Sequence, residues 1–303
     1  MTPLGLGTAP LGNLFESVSD EVATATVDAA WDAGIRFFDT APQYGHGVAE
    51  VRLGRALAGR PRDQYVLASK VGRLLRRTEG ARPPTSFVDV PDVDPVFDLS
   101  RDGILRALDE SLQRLGADRL DIVHLHDPDD HERAAFDTAF PTLFELRDQG
   151  VIGKVGCGMN QSAMLDRFVE ALPLDCVLLA GRWTLLDRTG GALLDRCAEA
   201  GVEVVLGGVF NSGLLARPEV GATFDYETAP VELVDQARRL QAVCAEHGVP
   251  LPAAAMQFVS RHPAVSTVLF GARSPQEVAA DVAFAAMPLP DALWPALEAV
   301  LAG

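Results

Sequence analysis

Short apolar runs, each ended by a turn, alternate along this chain with longer stretches whose apolar residues recur every three to four positions. The first kind reads as a strand buried in a parallel sheet and the second as an amphipathic helix. Strands are predicted at Leu4 to Thr8, Ile35 to Phe38, Tyr65 to Ser69, Leu120 to Leu125, Val151 to Val155, Asp175 to Leu179, Val202 to Leu206 and Ser266 to Phe270. Helices are predicted at Asp20 to Ala33, Ala49 to Leu57, Leu99 to Leu115, Ala134 to Gln149, Ala163 to Glu170, Ala192 to Glu199, Val231 to Glu246 and Ala253 to Val259. A further helix is expected from Pro275 onward. Eight strand–helix units in succession favour an α/β fold closed into a (β/α)8 barrel over an open sheet. Gly34, Gly116, Gly150, Gly201 and Gly248 each fall just past a predicted helix, where a left-handed residue commonly ends the helical path.

With 303 residues the chain can bury one large core, so 1–303 is read as a single barrel domain. Its net charge of -16 repels phosphate backbones and anionic lipid, which argues against nucleic-acid and membrane partners. Cys157, Cys176, Cys197 and Cys244 lack any close metal-binding spacing and read as free buried thiols; no metal site is expected. No basic region feeding an apolar run follows Met1, and no apolar stretch reaches a membrane-spanning length, so a cytoplasmic location is expected. Nothing in the pattern separates a monomer from a homo-oligomer. One irregular segment, 72–98, breaks the alternation after the third strand and carries Arg73, Arg76 and Arg77. It reads either as a substrate wall or lid, because loops at that end of a barrel strand face the active site, or as an insertion with no catalytic part.

Polar residues at the ends of early strands are the chemically informative feature. Asp39 follows Phe38, Lys70 follows Ser69 and His126 follows Leu125, while Tyr44 lies in the loop after Asp39. Barrel strands point such residues into one mouth. His124 shares a face with His126, so strand periodicity does not choose between the two.

The segment from Gly34 through Asp39-Thr40-Ala41-Pro42-Gln43-Tyr44-Gly45 resembles the first signature of the aldo-keto reductase superfamily. The contexts of Lys70 and His126, the stretch Gly156-Cys157-Gly158-Met159-Asn160 and the ending Gly271-Ala272-Arg273-Ser274 match in order, so the resemblance spans nearly the whole chain. It implies that Tyr44 is the general acid or base, that Lys70 favours its ionised form, that Asp39 orients Lys70, and that His126 donates to the substrate oxygen. A free phenol titrates near ~10 and needs such a cation to act as a base. The resemblance also implies a nicotinamide coenzyme held by Asn160 at the carboxamide, by Ser212, Gly213 and Leu214 at the pyrophosphate, and by Gly271, Arg273 and Ser274 at a helix N-terminus. Asn160 is equally suited to cap the following helix.

Members that prefer the extra 2'-phosphate place basic groups where this chain has Gly271 and Glu277, so NAD is favoured and NADP left open. Glu277 also fits a capping box with Ser274. The start of the chain, the His126 region and the Arg182-Trp183 region resemble the branch of D-threo-aldose 1-dehydrogenase and L-fucose dehydrogenase. That implies oxidation of the anomeric hydroxyl of L-fucose, D-arabinose or L-galactose to the aldonolactone, with Phe15, Asp127, Arg182 and Trp183 as substrate contacts. Phe15 and Trp183 would equally serve as rim packing. Pyridoxal 4-dehydrogenase and general carbonyl reductase remain alternatives, as does a weakly catalytic nicotinamide-binding regulatory subunit. The complete set Asp39, Tyr44, Lys70 and His126 argues for chemistry over the last of these.

Overall fold

The computed structural model describes residues 3–77, 80 and 84–302. Strand β1 (Leu4–Gly7) leads into helix α1 (Asp20–Asp32), and β2 (Phe37–Asp39) into α2 (Val48–Leu57). Strand β3 (Val66–Val71) is followed by an antiparallel hairpin, β4 (Arg73–Arg76) and β5 (Asp94–Phe97), and then by α3 (Arg101–Leu115). After β6 (Leu120–His126) come a short α4 (Glu132–Ala134), a π-helical turn over Ala135–Ala139 and α5 (Phe140–Asp148). The alternation continues with β7 (Ile152–Met159), α6 (Ser162–Ala171), β8 (Cys176–Ala180), α7 (Gly191–Ala200) and β9 (Glu203–Gly207). A second hairpin, β10 (Thr223–Phe224) and β11 (Glu227–Thr228), precedes α8 (Val231–Glu246) and α9 (Leu251–Val259). The described chain ends with β12 (Val265–Gly271), α10 (Pro275–Ala286) and α11 (Leu293–Ala302).

The eight long-range strands close as a parallel barrel in the order β1-β12-β9-β8-β7-β6-β3-β2. Period-two alternation explains what fills it. Phe37 and Asp39 share the inner face of β2, as do Ala68 and Lys70 on β3, His124 and His126 on β6, and Cys176 and Leu178 on β8. The lower members form small apolar clusters, Ala68 with Ile122 and Cys176, and Leu178 with Val205 and Leu269, both touching Phe37. The last inward residues are therefore lifted to the mouth on an apolar plug. The large core lies outside the ring, between strands and helices, and includes Leu6, Phe38, Val123 and Val177.

Three expectations about element boundaries are corrected. Strand β7 runs on to Met159 rather than stopping at Val155, because Gly156 and Gly158 are interior residues paired to β6 and β8 and not a turn. A Cβ at Gly156 would stand 2.5 Å from His124 Nδ1 and 2.8 Å from the Cys176 carbonyl oxygen, so only glycine fits. The helix expected from Ala134 to Gln149 runs continuously from Glu132 to Asp148, with a π turn over Ala135–Ala139 just before Pro141, which has no N–H to return to the preceding turn. The last helix is two helices, separated by Pro288 and Pro290. The segment 72–98 is an ordered ribbon at both ends, β4 on β5; its residues 78, 79 and 81–83 lie outside those described. All five helix-ending glycines have positive φ, and Cys157, Cys176, Cys197 and Cys244 are buried and free. Among the described residues no helix is long and apolar enough to cross a membrane.

Candidate active site

The barrel brings Asp39, Tyr44, Lys70 and His126 together. Lys70 Nζ donates to Asp39 Oδ2 at 2.6 Å and to the Thr40 carbonyl oxygen at 2.9 Å, with both side chains almost fully buried. The same ammonium lies 4.7 Å from the centre of the Tyr44 ring, and the His126 ring meets Tyr44 edge-on at 5.9 Å. Tyr44 is fixed by its backbone neighbour. Gly45 adopts φ 60° directly against Gly12, and a Cβ there would stand 2.3 Å from the Gly12 carbonyl oxygen. Glu50, buried near the start of α2, accepts from Ser69 Oγ at 2.8 Å and Arg114 Nε at 2.6 Å, tying the Tyr44 segment to the strand that carries Lys70. Sequence reasoning missed Glu50, whose place in an amphipathic helix looks like a surface position.

Burial dominates the titration of this centre. It raises Tyr44 well above an ordinary phenol, with Asp39, Tyr226 and Asp127 adding to it and Arg73 opposing. Burial also raises Asp39, offset by the Lys70 ammonium. His126 is held well below its usual value by burial, then by Arg73 and Lys70, so at neutral pH it is an uncharged imidazole able to donate one hydrogen bond. His124 lies beneath, pushed down to about 3 by burial and Lys70, with neither ring nitrogen hydrogen-bonded. Of the two histidines, only His126 lines the mouth.

These groups open onto a cavity of about 300 Å³. Its walls include Gln43, Asp127 and Asn160 on the polar side and Leu14, Phe87, Met159 and Tyr226 as bulk. Phe87 stands 6.1 Å from the Tyr44 ring, and Leu14 bridges to it as an isolated β pair. Phe15 sits at the outer rim, 6.3 Å from Tyr226. Asp127, with φ 40°, places Oδ2 3.5 Å from His126 Nε2 and 3.4 Å from a terminal nitrogen of Arg73, which also donates to Gln43. Arg73 and Phe87 come from the 72–98 segment, read from the sequence as a wall or lid or as a non-catalytic insertion, whereas Tyr226 was not among the residues expected here.

Two expected substrate contacts are not brought to the mouth. Arg182 is bound to Asp225 at 2.8 Å and lies 3.6 Å from Asp187, so its guanidinium anchors the tip of the β10–β11 hairpin. Trp183 turns outward into the helical shell, stacked on Phe258 at 5.5 Å and edge-on to His262. Its position just past a strand end fixed its height in the barrel but not its direction. Arg182 acts on the mouth indirectly, because the hairpin tip it holds carries Tyr226.

Beside the mouth lie the residues expected to hold a coenzyme. Asn160 reaches the cavity wall from the end of β7. In the loop after β9, Ser212 Oγ accepts from the Tyr226 N–H at 3.0 Å, Leu214 is buried, and Gly213 at φ 104° has open space where a Cβ would lie. Gly271 ends β12, and Ser274 caps α10 by accepting from the Glu277 N–H at 3.2 Å. The open backbone at Gly213 and the capped N-terminus of α10 are each suited to the diphosphate of a dinucleotide. Arg273 is held by Glu277 at 2.8 Å and Glu16 at 2.7 Å, and Glu277 also accepts from the Arg273 N–H. Arg273 is thus matched by two carboxylates, of which Glu277 also lies within the field of Arg217.

This barrel with its Asp-Tyr-Lys-His mouth defines a nicotinamide-dependent oxidoreductase, and the family comparison agrees: residues 3–302 match the aldo/keto reductase family, to which the chain belongs. It is an NAD(P)-dependent oxidoreductase acting on CH–OH groups of aldose or carbonyl substrates. The chain is 42% identical over 300 residues to D-threo-aldose 1-dehydrogenase of a Pseudomonas species, covering 96% of this chain and 91% of that one. It is 41% identical over 320 residues to pyridoxal 4-dehydrogenase of Microbacterium luteolum, covering 98% and 93%. Among solved structures, the holo form of an aldo-keto reductase from Bacillus halodurans superposes with a TM-score of 0.78 at 27% identity, covering 98% and 91%.

Proposed function

We propose that the protein oxidises the anomeric hydroxyl of an aldose, of the kind of L-fucose, D-arabinose or L-galactose, to the aldonolactone with NAD. The observation that carries this reading is the polar wall formed by Gln43 and Asp127, both held by Arg73 and with Asp127 directly beside His126, which suits a polyhydroxylated substrate better than a plain aldehyde. The likeness to D-threo-aldose 1-dehydrogenase supports it.

In this reading Tyr44 removes the proton from the C1 hydroxyl while the C1–H electron pair leaves as hydride, and C1–O becomes the lactone carbonyl. Lys70 stabilises the Tyr44 phenolate that accepts this proton, Asp39 pairs with Lys70 and holds it in place, and His126 donates to the substrate oxygen. A bound coenzyme supplies the hydride acceptor. Asn160 would hold its carboxamide, Ser212, Gly213 and Leu214 its diphosphate, and Gly271, Arg273 and Ser274 its adenosine end. The carboxylates of Glu16 and Glu277 around Arg273 would repel a 2'-phosphate, which favours NAD over NADP. The buried free thiols support a reducing, cytoplasmic setting.

The test is an initial-rate panel with L-fucose, D-arabinose, L-galactose and pyridoxal, each with NAD and with NADP. Selective turnover of a sugar with NAD is the expected result. Turnover confined to pyridoxal moves the assignment to that substrate, and coenzyme binding without turnover contradicts the catalytic reading.

A further inference from the structure

Asp127, on the wall of the mouth, is paired with Arg73 at 3.4 Å, and the proton transfer from substrate to Tyr44 uses neither side chain. Their bonding is incomplete in a particular way. Asp127 Oδ2 faces Arg73 and His126, while Oδ1 has no hydrogen-bond partner among the described residues, on a carboxylate whose side chain remains 30% exposed. One terminal nitrogen of Arg73 serves both Gln43 and Asp127, and the guanidinium lies 4.4 Å from the Phe97 ring, but its other two nitrogens make no hydrogen bond among the described residues. A carboxylate and a guanidinium, each with spare hydrogen-bonding capacity, are thus joined to one another through Asp127 Oδ2 at 3.4 Å.

That arrangement costs desolvation, which is recovered only if something completes the hydrogen bonding. The complement is two adjacent hydroxyls. One donates its proton to Asp127 Oδ1, and the oxygen of its neighbour accepts from Arg73, since the oxygens of a gauche vicinal diol lie about one hydrogen-bond length apart. Position sets which hydroxyls are read. Asp127 follows His126 directly, and the left-handed backbone at Asp127, together with its N–H donated to the Gly158 carbonyl oxygen at 3.0 Å, turns its carboxylate back toward the imidazole. The carbons nearest the reacting one are therefore those inspected.

We propose that Asp127 and Arg73 are the specificity-determining pair of this enzyme, selecting substrates that carry vicinal hydroxyls next to the carbon that is oxidised or reduced. The inference rests on the mouth being the site of carbonyl chemistry, but not on the substrate being an aldopyranose. Arg73 comes from the 72–98 segment, which makes that segment a substrate wall.

The experiment compares NADH-dependent reduction of glyceraldehyde, which has the neighbouring hydroxyls, with that of propanal, which lacks them. The wild-type enzyme should favour glyceraldehyde in kcat/KM by about 100-fold or more, as expected of a site whose buried polar groups are otherwise left unpaired. In an Asp127→Asn variant, which keeps the shape and tolerates the left-handed backbone, glyceraldehyde should lose at least ~10-fold more than propanal. An Arg73→Gln variant should shift the ratio the same way, and Arg73→Lys should restore part of it. A wild-type enzyme indifferent to the hydroxyls, or variants that lose both aldehydes in equal proportion, would overturn the proposal and leave Asp127 as a group that merely orients His126. A sugar panel without turnover alongside the expected ratio shift would instead sink the aldose assignment and leave this inference standing.

Discussion

Lys70 Nζ lies 2.6 Å from Asp39 Oδ2, and the pair, shut off from solvent, sits against the ring of Tyr44. Breaking a buried pair on one side is far worse than removing it whole, because the survivor is an unpaired charge. A Lys70→Met variant should therefore lose about 3–5 kcal/mol of stability as well as turnover. Adding Asp39→Asn should recover much of the melting temperature and none of the turnover. Thermal unfolding of the single and double variants, set beside their rates, checks this; recovery of both would mean the pair is structural only.

Burial holds the Tyr44 phenol well above its ordinary titration range, so the resting site carries a proton there. A proton donor suits reduction and a proton acceptor suits oxidation. The rate of sugar oxidation should consequently climb as pH rises into the alkaline range, while aldehyde reduction should hold at neutral pH and fall as pH rises. Paired pH profiles in the two directions read this out, and an oxidation rate that declines from pH 7 to 9 would count against Tyr44 as the titrating group.

His124 makes an opposite demand on the fold. Its imidazole titrates at about 3 in the folded barrel against 6.5 ordinarily, so the unfolded chain binds the extra proton first. The stability that depends on a neutral His124 is present above pH 6.5 and is lost as pH falls toward 3, by at most about 1.4 kcal/mol per pH unit. A His124→Gln variant, which stays neutral, should show a shallower loss between pH 6.5 and 5 in denaturant titrations. His126 contributes in the same direction and keeps the slope from vanishing.

Arg273 is matched by Glu16 and Glu277, and Glu277 also completes the start of α10. Glu277→Gln keeps an acceptor for the Arg273 N–H but frees part of the guanidinium. NADP binding should then tighten by about tenfold, or ~1.4 kcal/mol, with NAD changing little. Fluorescence titration with both coenzymes measures the ratio; an unchanged ratio would place the discrimination elsewhere.

Much of this site was legible because a strand's inner face repeats every second residue. Asp39 and Lys70 lie one step beyond the inward Phe37 and Ala68, and His126 one step beyond the inward His124, so the barrel reading alone carried them to a common mouth. Other features were not legible for identifiable reasons. The predicted strand stopped at Val155, short of Gly156 and Gly158, because the close approach of Gly156 to His124 and Cys176 cannot be seen in a local pattern. Tyr226 sits on a hairpin with strands of two residues, bent by left-handed Asp225 and Tyr226, too short for any periodicity to register. Trp183 shows the reverse: its rank along the barrel was readable, but its ring direction depends on Phe258, which comes from a distant helix.

Tyr44→Phe removes the hydroxyl and keeps the ring that packs against Phe87 and His126. The most direct test of the central claim measures kcat and the NAD dissociation constant of this variant together, on the sugar the panel selects. The account predicts a fall in kcat of about 10²–10⁴-fold with coenzyme affinity within a few-fold of the wild type. Turnover within a few-fold of the wild type would contradict it and remove Tyr44 from the proton-transfer role.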